Sequence, residues 1–126
     1  MAEIKGLKQL SAELKRLPDK LRGKTLDNAA AAGARVIRDR AKNTYVPVDT
    51  GALKASIVVR KDRELSGKNY STYNVGYLKK KAPYGGFVEL GTSKMAPQPY
   101  LRPAIETEQN NAIDAVAVVL RKKLKL

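Results

Sequence analysis

Two long stretches with apolar residues three and four apart flank a middle that cannot continue either as a helix. In the first stretch Ile4, Leu7, Leu10, Leu14, Leu17 and Leu21 fall on one stripe, with Lys, Gln and Glu between them. Pro18 interrupts it. The residue before a proline is pushed out of the helical region, so the first helix ends at Leu17. Pro18 then opens a second helix as a first-turn residue, where its missing N–H costs nothing. That helix is expected from Asp19 to Asn43, with Leu26, Ala30, Ile37 and Ala41 on its stripe and Ala29 and Val36 widening it. Gly33 lies on the same stripe, so the small residues there allow another helix or a sheet to approach closely. Arg35, Arg38, Arg40 and Lys42 lie mostly off it and are expected to reach solvent. The last stretch is expected to be helical from Pro103 onward. Ile105, Ile113, Val116, Val119, Leu120 and Leu124 form its stripe, and the cations Arg121, Lys122, Lys123 and Lys125 sit where the helix dipole favours them.

The middle is built of turns and strand formers. Tyr45 to Gly51 is a turn-rich break, and Asp49 or Thr50 is placed to cap a short helical turn over Gly51–Ser56. Ile57 to Val59 favour a strand. Leu65 to Asn69 reads as a hairpin connection, and Tyr70 to Leu78 as the second strand, with Tyr73, Val75 and Tyr77 alternating against polar or small residues. Gly85-Gly86 reads as a tight turn or bulge leading into a third short strand, Phe87 to Leu90, which Gly91 ends. Pro97 and Pro99 keep Thr92 to Pro99 in a loop. The expected class is therefore α+β: N-terminal helices, a small antiparallel sheet and a long C-terminal helix packed on it. Residues 1–126 are expected to form a single domain.

Composition narrows the chemistry. The chain has no Cys and no His. That removes disulfides, Cys-based metal sites, His-ligated zinc and a Ser–His–Asp triad. Lys, Tyr, Arg and carboxylates still allow other catalysis. The 25 basic and 12 acidic residues give a formal charge of +13, which suits nucleic acid or an acidic protein face as partner. No N-terminal signal segment is apparent. No apolar run approaches the roughly 20 residues that span a bilayer, so synthesis in the cytoplasm without membrane contact is expected.

Single motifs are weak. Asp49-Thr50-Gly51 matches the aspartic-protease string, but Pro47 replaces the apolar strand that should lead into it, so a capped turn is the better reading. Lys79-Lys80-Lys81 beside Tyr84 could contact phosphates and stack on bases, or dock on an acidic partner. Gly85-Gly86 lacks the spacing of a phosphate loop. The proline- and glycine-rich stretch from Tyr84 to Ile105 is denser than a generic loop. It offers no nucleophile beside a base, yet suits an extended assembly arm.

Two stretches together are more specific. Val46-Pro47-Val48-Asp49-Thr50-Gly51-Ala52-Leu53-Lys54-Ala55-Ser56-Ile57 resembles the hallmark Pro-x-Asp-Thr-Gly-x-Leu-x-x-Ser-Ile. Tyr84 to Thr92, followed by Met95 to Pro99 and Leu101-Arg102-Pro103-Ala104, resembles Tyr-x-x-Phe-x-Glu-x-Gly-Thr … Pro-x-Pro-Phe-Leu-Arg-Pro-Ala, with Tyr100 where Phe is frequent. Both belong to the gene-product-ten-like phage head–tail joining, or tail-completion, proteins, and the resemblance extends over nearly the whole chain. It implies a structural neck subunit, not an enzyme, with no cofactor. The implied partners are its own copies in a ring of six, neighbouring neck and tail-tube proteins, and genomic DNA in the channel. Asp49, Thr50, Gly51, Phe87, Glu89, Gly91, Thr92, Pro97, Pro99, Leu101, Arg102 and Pro103 are the expected interface or loop-shaping positions, with Glu89 and Arg102 as a charge pair within or between subunits. A tail terminator ring capping the tube is the nearest alternative. A basic nucleic-acid-binding or toxin-like ribonuclease is the alternative of another class.

Overall fold

The computed structural model describes residues 7–47 and 51–124. Helix α1 covers Leu7–Arg16 and α2 covers Asp19–Arg40. The end of α2 widens into a π-helical turn, Ala41–Tyr45. A short helix α3, Ala52–Ser56, leads directly into strand β1, Ile57–Lys61. Strand β2 is Tyr73–Tyr77, α4 is Gly85–Leu90, and α5 is Leu101–Leu124. The α+β class follows from these elements. Asp49 and Thr50, with the cap expected from them, lie outside the described residues. Gly51, at the start of α3, has φ of 85°.

The break between α1 and α2 falls at Leu17 and Pro18, as the proline rule predicts. Pro18 stands one position earlier than expected, at the N-cap with φ −55° and ψ 150°. Its carbonyl accepts from the Arg22 N–H at 2.8 Å.

Helices α2 and α5 pack antiparallel and form the spine. Ala29 meets Leu120 at one end, and Ala41 meets Ala104 at the other. Between them Arg40 pairs with Glu108 at 3.3 Å. The crossing is tight at Gly33: a Cβ there would lie 2.8 Å from Val116 Cγ2 and 3.2 Å from the Ala112 carbonyl oxygen. The close approach expected at this glycine is therefore made by the C-terminal helix. The buried set of α2 (Thr25, Ala29, Ala31, Gly33, Ala34) is broader than the single stripe, and Leu26 and Ala30 are only half-buried. The cause is that α2 packs on α5 and on both strands, so it buries more than one face. Arg35 and Arg40 are exposed as expected, whereas Arg38 and Lys42 are partly buried.

Strands β1 and β2 form a two-stranded antiparallel sheet, with Ile57 opposite Tyr77 and Lys61 opposite Tyr73. The second strand starts three residues later than expected. Residues 70–72 belong to the connection instead, where Ser66 and Thr72 exchange side-chain and backbone hydrogen bonds. Asp27 clamps the hairpin to α2, accepting from Lys61 Nζ and Ser71 Oγ, each at 2.7 Å. Burial pushes the Asp27 carboxyl up, but those two partners outweigh it and hold it below the usual carboxylate range. Arg22 adds a second tie, donating to the Leu17 and Lys68 carbonyls.

Apolar packing concentrates in two clusters. One joins Ala41, Val46, Leu53, Ile57, Ala82, Tyr100 and Ala104. The other joins Leu10, Ala29 and Leu120, with Leu14 and Val119 against them, and holds α1 on α5.

The segment expected as a third strand is helix α4. A run of four apolar or polar-flanked residues carries no period that separates strand from helix, and here the tertiary surroundings decide. Gly85 and Gly86 sit in the first turn of α4, not in a bulge. A Cβ on Gly85 would lie 2.5 Å from the Tyr77 ring, so the glycine lets the helix rest on β2. The last helix also starts before Pro103, at Leu101.

Candidate assembly surface

The second motif is best understood from the start of α5. The first four N–H groups of a helix have no partner inside it. Here those positions are Tyr100, Leu101, Arg102 and Pro103. The Glu89 carboxylate accepts from the first three: Oε2 from Tyr100 N at 2.5 Å and Leu101 N at 3.1 Å, and Oε1 from Arg102 N at 2.9 Å. The fourth residue, Pro103, carries no N–H at all. One negative side chain from α4 and one proline thus satisfy the whole helix terminus, where a negative charge also meets the positive end of the dipole. This overturns the simplest form of the Glu89–Arg102 pair. Glu89 bonds the Arg102 backbone, while the Arg102 guanidinium turns to Glu106 at 3.1 Å.

The segment between the two helices is not a free arm. Gly91 ends α4 with φ of 78°, and its N–H donates to the Phe87 carbonyl at 2.7 Å. A Cβ on Gly91 would also stand 2.8 Å from Pro97, so both backbone angle and space call for glycine. Thr92 and Met95 exchange backbone hydrogen bonds, and the Thr92 hydroxyl accepts from Lys94 N. Between the exposed Pro97 and Pro99, Gln98 N donates to the Val88 carbonyl at 2.8 Å. The loop is therefore folded back on α4.

Tyr100 fastens this unit to the core. It is fully buried, and its hydroxyl donates to the Gly85 carbonyl at 3.0 Å. Burial, then the nearby Glu89 charge and Tyr77, push the phenol above its ordinary value, so it stays a neutral donor. Phe at this position keeps the ring and removes the hydroxyl's bond to the Gly85 carbonyl. Tyr100→Phe is expected to lower stability by about 1 kcal/mol in urea unfolding. An unchanged midpoint would mean that water or another donor replaces the hydroxyl.

What this scaffold displays is apolar. Val88 packs inward and Leu101 faces the same cluster. Phe87 and Leu90 point out, 61% and 80% exposed, and Tyr84 and Met95, close to them in the chain, are exposed too. Exposed apolar groups become informative where they form a contiguous patch. Lys79, Lys80 and Lys81 form an exposed turn just before α4. The structure thus gathers Phe87, Glu89, Gly91, Thr92, Pro97, Pro99, Leu101, Arg102 and Pro103 into one unit, while Gly51 lies apart at the start of α3. Leu90, Met95 and Tyr100 lie within the second motif but were not among the expected interface positions; the outward place of Leu90 follows from its helical spacing with Phe87 once α4 is a helix.

Among the described residues no group of three or more His, Cys, Asp or Glu could hold a metal ion. No helix among them is long and apolar enough to cross a membrane. What the unit shows on its outside is a set of exposed apolar side chains around the braced helix α4, with an exposed basic turn just before it.

A family model described as "Bacteriophage HK97-gp10, putative tail-component" matches residues 8–91, more than half of the chain. The chain belongs to this HK97-gp10-like family of phage tail components. The match includes the first motif and ends at Gly91, so the capped start of α5 lies beyond it. No curated protein and no solved structure matched the chain.

Proposed function

We propose that this chain is a structural subunit of the phage neck, working by contacts and not by catalysis. Copies assemble into a ring, six in number, that completes the head-proximal end of the tail and joins it to the filled head. The observation that carries this reading is the exposed apolar set of Tyr84, Phe87, Leu90 and Met95, around the helix that the Glu89 cap braces, on a chain of charge +13. Such a set is costly to leave in water and useful once a neighbour covers it. The Lys79–Lys81 turn beside it suits an acidic neck face, or the DNA that passes through the ring.

Electron microscopy of the virion neck tests this. The expected result is a ring of this subunit one layer above the tail tube. A ring seated directly on the tube would make it the tail terminator instead. Its absence from the virion would overturn both.

A further inference from the structure

Away from α4, the start of α2 and the hairpin enclose a cleft of about 670 Å³. Five cations line it: Lys20 and Lys24 from α2, Lys61 at the end of β1, and Arg63 and Lys68 from the hairpin connection. Lys20 and Lys24 stand one helical turn apart and share a face. The cleft also holds Asp19 and Asp27, and both are already engaged. Asp19 accepts from Arg22 at 2.6 Å and Lys68 at 3.3 Å, and Asp27 from Lys61 at 2.7 Å. Lys20, Lys24 and Arg63 are exposed, and they make no ion pair among the described residues. Tyr70 stands at the edge. Its ring packs on Gly67, a lining residue, where a Cβ would lie 3.1 Å from it. The Gly67 N–H donates to the Tyr70 carbonyl at 2.8 Å, and the tyrosine is 57% exposed.

The lining selects a class of occupant. Protein interfaces bury an apolar core from which charged residues are depleted. None of the ten residues lining this cleft has an apolar side chain. Interfaces with DNA are more polar and far more positive. Over half of their hydrogen bonds reach phosphate and sugar, from Lys, Arg, Ser and Tyr side chains and backbone N–H groups. We propose that this cleft holds the phosphate backbone of a nucleic acid. Lys20, Lys24 and Arg63 are the free cations that meet it, while Lys61 and Lys68 neutralise the two carboxylates that would repel it. Phosphates carry no sequence information, so the binding is independent of sequence. The cleft shares no residue with the Lys79–Lys81 turn, and the site stands whether or not copies form a ring.

Anisotropy titration of the full chain with a labelled DNA duplex of mixed sequence, at several salt concentrations, tests this. One variant combines Lys20→Gln, Lys24→Gln and Arg63→Gln. A control combines Arg35→Gln, Lys122→Gln and Lys123→Gln, which removes the same charge outside the cleft. All six side chains are exposed, so both variants should keep the wild-type Tm. The cleft variant is expected to bind about tenfold more weakly or worse, and to lose about 3 from the slope of log K against log salt, one for each phosphate contact. The control should lose far less of both. Equal losses in the two variants would show that binding follows net charge and not the cleft, and overturn the proposal, as would a chain that does not bind the duplex. Labelled polyglutamate is the second probe. If it binds the wild-type chain as tightly as the duplex does, and the cleft variant as weakly, the cleft takes an acidic protein and the nucleic-acid assignment falls.

Discussion

Replacing Glu89 with Ala is expected to destabilise the protein by about 3 kcal/mol, the largest loss predicted here for a single side chain. A hydrogen bond to a charged group contributes about 1.5–3 kcal/mol, and three bonds that share one carboxylate do not add fully. Removal exposes the N–H groups of Tyr100, Leu101 and Arg102 together and deletes the charge at the helix dipole. Glu89→Gln keeps one acceptor oxygen and should lose about half as much. Urea unfolding measures both, and amide exchange at residues 100–102 should quicken in step. A loss below about 0.5 kcal/mol in the Ala variant would show that the cap contributes nothing beyond an ordinary surface position. Because the same cap braces α4, the variant should also weaken any contact made through Phe87 and Leu90.

Gly33→Leu is the second large effect, with an expected loss of about 2 kcal/mol. Overpacking a close contact costs up to about 3 kcal/mol. Leaving glycine in a helix interior recovers about 1 kcal/mol of that. The obstacle is partly immovable: Val116 Cγ2 can rotate away, but the Ala112 carbonyl belongs to the α5 backbone. Gly33→Ala meets the same two atoms with its Cβ alone and gains the same propensity, so it should lose about 1 kcal/mol, less than the Leu variant. The contrast between Ala and Leu is the test. A Leu variant as stable as wild type would mean that α2 and α5 do not approach this closely.

The helical arms were legible because their information is local and repeated. Leu10 and Leu14 recur at helical spacing, and Pro18 stops the first arm wherever it packs. The hairpin was legible in β-branched and aromatic residues around Gly67, with its second strand misplaced by three residues. Phe87 to Leu90 was not legible. So short a run forms a helix here because Tyr77 lies under Gly85 and because Glu89 must reach the start of α5. Both causes lie elsewhere in the chain. The motif around Glu89, Gly91, Pro97 and Pro103 stood out as a string of residues, yet its physical sense did not. Glu89 and the N–H groups that it binds are 11 to 13 residues apart, a relation with no period to detect.

The amino-acid sequence by itself determined the α+β class, the two long helices, the hairpin and, through its two motifs, the phage tail family. Each of these rests on near-neighbour chemistry or on residue strings. The tertiary structure alone decided that α4 is a helix, that Glu89 caps α5 instead of pairing with the Arg102 side chain, and that five cations line one cleft between α2 and the hairpin. Those features depend on which distant segments come together. That is set by the fit of small residues such as Gly33, Gly85 and Ala104 against their neighbours.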